Sequence, residues 1–278
     1  MSEPAVVDSS FVFSGFGDEI ASELEEQLAA LQSLGINYIE LRGIWGKNIA
    51  DLDEEELRRL QQGLRASGMR VSSIASPIGK TPIDLPFAPQ LELFRRILHI
   101  ASAVGAPFVR IFSFYLPEAS SQALRPVVLE RLSQLVQEAE SWPVTLLHEN
   151  EKGIYGETPE RCADILTAID SPKLMALFDP ANFVQVDVER PFDRAWPLYG
   201  QKIRYVHVKD AKLGSGEVVV AGAGDGQVRE LLRALRGRGP ITLSLEPHLA
   251  LGGLASGFSG KQLFSQALDA LQELLKSL

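Results

Sequence analysis

The sequence predicts an α/β fold, a single-domain (β/α)8 TIM barrel over residues 1–278 with the barrel itself at about 11–277. Three observations predict it. Short apolar runs alternate with amphipathic segments eight times, and strand–helix alternation of this kind builds a parallel sheet. The 278 residues and 45% apolar content suit one such barrel, which commonly takes about 250 residues. The first turn, Gly15-Phe16-Gly17-Asp18-Glu19, lacks the third glycine and the helix-opening register of a dinucleotide fingerprint, which argues against an open doubly wound sheet.

The elements follow in order. A strand at 11–16 leads to a helix at 21–34, which Gly35 stops. A strand at 37–41 precedes a helix at 53–67, and Asp51 to Glu54 put acidic residues where a helix N-terminus favours negative charge. A strand at 70–75 is followed by a helix at 88–104, closed by Gly105 and Pro107, and a strand at 107–112 by a helix at 121–141. The fifth strand, 143–148, runs to a helix at 158–169 that Thr158 caps and Pro159 opens. The last three pairs are expected at 173–178 and 191–199, 202–208 and 227–237, and 240–246 and 261–277. The first eight residues read as a loose terminus, and no linker or low-complexity stretch interrupts the pattern.

Composition narrows the function. A net charge of −9 and a pI near 5.1 argue against a nucleic-acid or anionic-membrane surface and favour small-molecule chemistry. Cys162 is the single cysteine, so neither an intramolecular disulfide nor a thiolate metal cluster can form. It reads as a small buried residue on a helix. Neither a basic-then-apolar leader nor an apolar run approaching 18 residues occurs, so a soluble, cytoplasmic protein is expected.

Four side chains stand near the ends of four successive apolar runs: Glu149 in VTLLHE, Asp179 in LMALFD, His207 in IRYVHV and Glu246 in ITLSLE. Alternate strand residues face inward. Thr145, Leu147 and Glu149 share one face, as do Met175, Leu177 and Asp179, then Ile203, Tyr205, His207 and Lys209, then Thr242, Ser244, Glu246 and His248. A strand-ending acid alone reads as a helix cap or a solvated loop residue. Four in register at the C-terminal strand ends, where such barrels carry their chemistry, read as a metal site. Three carboxylates and one imidazole suit Mn2+, Mg2+ or Co2+, with Zn2+ also compatible, in a shell with open positions. A substrate carbonyl and its neighbouring hydroxyl would fill those positions, and the ion would acidify the hydrogen between them. Glu149 and Glu246 lie far enough apart around the rim to take a proton from one face and return it to the other.

The segments His148-Glu149-Asn150, Phe178-Asp179-Pro180-Ala181-Asn182, His207-Val208-Lys209-Asp210 and Leu245-Glu246-Pro247-His248 carry a resemblance. Over roughly residues 11 to 277 the chain resembles the xylose-isomerase-like TIM-barrel superfamily, in its sugar phosphate isomerase/epimerase branch. The resemblance implies one divalent metal ion held by Glu149, Asp179, His207 and Glu246, with the two glutamates also the acid/base pair. Ketose epimerases of this family usually have a histidine three residues after the metal aspartate, where this chain has Asn182. Asparagine can hydrogen-bond a hydroxyl but carries no proton at neutral pH.

Other polar residues surround the expected mouth. Lys209, about 6–7 Å beyond His207 on the same face, could reach a substrate oxygen. Arg42 and Arg110 hold inward registers where a planar fork could grip an anion, and an ion pair of Arg42 with Glu40 is the competing reading. His248 could hold substrate or orient Glu246, His148 faces away from Glu149, and His99 is a structural residue within a helix. The run Gly222-Ala223-Gly224-Asp225-Gly226 is a turn whose amides could cradle a phosphate. Ser76 to Lys80 could lie over the mouth as a partial lid, and Trp45 offers an aromatic wall to a sugar or a neighbouring subunit.

The expected function is a divalent-metal-dependent isomerase or epimerase of a sugar, sugar phosphate or cyclic polyol, acting through an enediolate. An inosose-type dehydratase is the alternative on the same site. An endonuclease-IV-like phosphodiesterase would need many histidines and a surface that neutralises phosphates, against four histidines and an acidic balance. A non-catalytic binding barrel with an empty site is disfavoured, because the two glutamates repel each other unless a cation sits between them. Family members often form dimers or tetramers, so a homo-oligomer is compatible with the resemblance.

Overall fold

Eight short parallel strands close on themselves in the computed structural model, which describes residues 10–117, 121–249 and 259–278. They are β1 (Phe11–Phe16), β2 (Tyr38–Leu41), β3 (Arg70–Ile74), β4 (Phe108–Ile111), β5 (Thr145–Glu149), β6 (Leu174–Phe178), β7 (Ile203–Val208) and β8 (Ile241–Leu245). Each pairs with its sequence neighbours, and β1 closes the ring against β8 with Phe11 opposite Ile241. Outside stand α1 (Leu24–Ser33), α2 (Glu54–Ser67), α3 (Ala88–Val104), α4 (Ser121–Ala139), α5 (Pro159–Ile169), α6 (Pro191–Tyr199), α7 (Val228–Leu235) and α8 (Gly260–Lys276). The expected strands and helices all form. The largest shift is at α1, which begins at Leu24 rather than at 21 because Gly17–Glu19 first makes a 3-10 turn. The expected loose terminus lies outside the described residues. Among the described residues no helix is long and apolar enough to cross a membrane.

The periodicity has a packing cause. Strand residues facing outward, such as Ile39, Val109, Leu146, Val206 and Leu243, are buried in one core with the apolar stripes of the helices. Inward residues Leu147, Leu177 and Tyr205, with Phe108 and Met175 against them, plug the barrel, so the interior is packed rather than open. Helix starts follow their sequence signals. Asp53 and Glu56 form a capping box on α2, and Thr158 accepts from Arg161 N ahead of Pro159 on α5.

Register slips in two places. Glu40 pairs with Ser73 after Ile39 pairs with Val71, so Ser72 is an extra residue on β3, and a similar shift leaves Arg204 extra on β7. Such irregularities re-aim side chains. Here Ser72 bonds to Ser14 and Tyr205 across the barrel.

The segment Ser76–Lys80 is a wall and not a lid. Ile78 O and Gly79 O accept from Phe112 N and Phe114 N at 2.8 Å each, and Ser76 Oγ donates to Arg110 O. Gly79 has φ +80°, and a Cβ there would stand 2.1 Å from Phe112 O. These backbone bonds extend the β3–β4 pairing past the strand ends and hold the segment in place.

Candidate metal centre and active site

Each of the four strand-end side chains is aimed by its own element. Glu149 ends β5, and His207 is the inward residue before the end of β7. Asp179 follows β6 and caps a helical turn at Pro180–Val184, its Oδ1 accepting from Asn182 N at 2.9 Å. Glu246 follows β8. All four are buried, and one donor atom from each falls within 4.8 Å of every other. His207 Nδ1 is 2.9 Å from Glu149 Oε1, 3.4 Å from Glu246 Oε2 and 4.0 Å from Asp179 Oδ2.

The donor set fits a divalent cation. Among the described residues, Glu149 Oε2 and Asp179 Oδ2 are buried atoms without a hydrogen bond of good geometry. Cations lie near both: Arg110 Nη1 is 3.2 Å from Glu149 Oε2, and Lys209 Nζ is 2.8 Å from Asp179 Oδ2. Buried carboxylates this close repel unless positive charge stands among them. The protonation equilibria reflect that crowding. Burial pushes Asp179 up to about 7, with Lys209 opposing it. Burial also works to raise Glu149, but His207 and Arg110 outweigh it and draw it down to about 2. Glu246 likewise ends well below the usual range, as Lys209, His248, His207 and Arg42 overcome burial. For His207 and Lys209 burial disfavours the charge, yet the surrounding carboxylates raise both.

The remaining candidates divide into those at the cluster and those elsewhere. Lys209 also donates to Glu246 Oε2 at 3.1 Å. Arg42 grips Asp18 through Nε and Nη2 and donates to Glu246 Oε1 at 2.8 Å. Its partner is therefore not Glu40, which is buried inside the barrel on Tyr205 and His207, while Asp18 faces Arg42 from the β1 loop. Arg110 sits over the Phe112 ring, with its Nε unpaired. Asn182 Nδ2 donates to Asn150 O at 2.9 Å and lies 3.4 Å from Glu149 Oε1. His248 has φ +47°, with Nε2 3.2 Å from Glu19 Oε1 and 3.5 Å from Glu246 Oε1. Burial, reinforced by Glu246, pushes Glu19 up to about 8, and burial pulls His248 down to about 4 against Glu246.

His148 is buried against Ser113 Oγ at 3.0 Å, whereas His99 is an exposed residue of α3. Trp45, at the turn of a hairpin between Gly43–Ile44 and Lys47–Asn48, lies beneath the Arg59 guanidinium of α2. The glycine run does cradle an anion, but the anion is Asp210, whose carboxylate accepts from the amides of Gly222, Gly224 and Gly226 at 2.9–3.0 Å. That occupancy overturns the phosphate cradle. Asp18, Glu19, Glu40 and Asn150 are neighbours of the cluster that motif reading did not select. Glu40 alone carried a signal, since it stands two residues before Arg42 on the same inward face.

Comparison with known proteins agrees with this architecture. The profile of the xylose isomerase-like TIM barrel family matches residues 28–274. No curated protein sequence matches. Many solved structures share the fold, among them the following three. The IolI protein with a binding zinc atom has a TM-score of 0.78 and 15% identity over 96% of this chain and 98% of that one. D-allulose 3-epimerase from Methylomonas sp. in complex with D-allulose has 0.71 and 15%, over 95% and 96%. A xylose isomerase-like TIM barrel protein from Mycobacterium smegmatis in complex with magnesium has 0.67 and 18%, over 91% and 88%. Eight parallel strands closed into a barrel and a family profile spanning nearly all of it lead to one conclusion: this chain belongs to the xylose isomerase-like TIM barrel family.

Proposed function

We propose that this protein is a divalent-metal-dependent isomerase or epimerase of a sugar or cyclic polyol. The observation that carries the reading is the convergence of Glu149, Asp179, His207 and Glu246 donor atoms within 4.8 Å at the C-terminal strand ends. Mn2+, Mg2+, Co2+ or Zn2+ would supply Lewis acidity, polarising a substrate carbonyl and stabilising the enediolate formed beside it.

The protein's own groups do the rest. Glu149 and Glu246 are separated around the ring by β6 and β7, so one carboxylate removes the proton beside the carbonyl and the other protonates the opposite face. Either carboxylate in its charged form can act as the base, and the other delivers a proton that it has first taken up from solvent, so that each turnover exchanges their protonation states. Asp179 and His207 serve as ligands only. Lys209, Arg42 and Arg110 set the charge around the two bases, and with Asn182 and His248 they contact substrate oxygens. Arg42 is held by Asp18 and Arg110 by Ser76 O, so each presents a fixed face to the mouth.

An inosose-type dehydratase is the second reading, and one observation favours it. Asn182 stands where ketose epimerases usually have histidine, and its amide can hydrogen-bond a hydroxyl without carrying a proton.

Solvent deuterium incorporation tests both. Metal-stripped protein is mixed with ketoses, their phosphates and inososes, with and without Mn2+. Mn2+-dependent deuteration beside the carbonyl is the expected result, and products lighter by one water identify the dehydratase. Deuteration that is indifferent to metal removal overturns the metal-dependent mechanism.

A further inference from the structure

We infer that Glu40, backed by Tyr205, is the positioning carboxylate of His207: it dictates which imidazole nitrogen is offered to the metal site and so sets metal affinity. The inference rests on the proposed metal centre. Glu40 is 1% exposed, and a carboxylate so buried must be satisfied by protein donors. It has two. Tyr205 OH donates to Oε2 at 2.7 Å, and His207 Nε2 lies 3.3 Å from both carboxylate oxygens.

An ionised carboxylate only accepts, so once a cation stands among Glu149, Asp179 and Glu246 and displaces any proton from Nδ1, the Glu40 contact keeps the remaining proton on Nε2 and leaves the Nδ1 lone pair to ligate. Nδ1 is the nitrogen that faces Glu149, Glu246 and Asp179. Edge-on contacts with Phe16 at 5.1 Å and Tyr205 at 5.9 Å hold the ring against rotation.

The contacts extend below Glu40. Tyr205 OH, whose proton goes to Glu40, also lies 2.9 Å from Ser72 Oγ, which is 2.6 Å from Ser14 Oγ. Ser72 is the extra residue of β3. Side chains from β1, β3, β7 and β2 thus form one chain that ends on His207. A carboxylate bonded to a ligating histidine fixes its tautomer and raises its basicity, and loss of such a partner costs about 10- to 100-fold in metal affinity.

The test is calorimetric titration of the full metal-stripped chain with Mn2+, alongside Co2+ absorption spectra and melting curves of the metal-stripped proteins. Glu40→Gln is expected to bind Mn2+ about 10- to 100-fold more weakly and to alter the Co2+ bands, because the introduced amide can donate to Nε2 and shift the proton to Nδ1. Tyr205→Phe is expected to change both in the same direction by less. Wild-type affinity and spectrum in Glu40→Gln overturn the positioning role. Should that variant not fold, an unchanged affinity and spectrum in Tyr205→Phe overturn it instead. Wild-type protein that binds no Mn2+ overturns the metal centre itself, a separate outcome.

Discussion

Glu149 and Glu246 both reach His207 Nδ1, at 2.9 Å and 3.4 Å, yet their other contacts differ. Glu149 is partnered by Arg110, and Glu246 by Arg42 and Lys209. Because an amide keeps the shape of the carboxylate and lessens the repulsion among three crowded acids, Glu149→Gln and Glu246→Gln are expected to fold normally and, if both are the proposed bases, to lose about 10²- to 10⁴-fold in deuterium exchange rate. Circular dichroism with exchange kinetics checks this, and wild-type exchange in both variants would falsify the two-base reading. At this scale the four strand-end residues were legible because each stands at the end of an apolar run. Arg42 was legible as an inward cation but not its partner, since Asp18 comes from a different loop. Glu40 was misread because its partners, Tyr205 and His207, are 165 and 167 residues away in sequence.

Asp210 and Gly79 carry the argument at the scale of elements. Asp210 gathers the amides of Ala211, Gly222, Gly224 and Gly226, fixing the loop that follows β7 just beyond Lys209. Removing the carboxylate leaves several part-buried donors without an acceptor, at about 1–3 kcal/mol for each one fully buried. Asp210→Ala is therefore expected to lower stability by about 2–4 kcal/mol, read as a reduced urea midpoint at unchanged slope. Gly79→Ala faces both a left-handed φ and the Phe112 carbonyl. It should destabilise more than Gly105→Ala, which has φ +70° but no neighbour within 4 Å and so carries only the backbone cost of about 1–2 kcal/mol. Melting curves of the two variants give the comparison, and equal losses would remove the case for a tightly stitched wall. Strand and helix periods exposed these elements in the sequence. The loops were harder, because an anion cradle filled by Asp210 and one awaiting a ligand look the same in a glycine-rich run.

The whole molecule gains from cation binding if the centre is as proposed. Three buried carboxylates and an imidazole meet only in the folded barrel, so a divalent ion held there would bind the native state and stabilise it by mass action. At 100 times the dissociation constant the gain is about 2.7 kcal/mol, a rise of several degrees in Tm for a chain of this size. Calorimetric scans with Mn2+ and then with chelator should show the rise and its reversal, and His207→Ala should abolish it. A Tm indifferent to Mn2+ would count against the centre.

The linear pattern of residues determined the strand–helix count, the inward faces and the four clustered side chains. Those properties depend on period and position along one strand, which sequence spacing encodes directly. Tertiary structure alone decided that Arg42 belongs to Asp18 and Glu246, that Glu40 and Tyr205 stand behind His207, and that Asp210 fills the glycine loop. Those pairings depend on which strands face each other across a closed ring and on the slipped register at Ser72. Ring closure brings together residues far apart in the chain, and their relation is carried by geometry in three dimensions rather than by spacing.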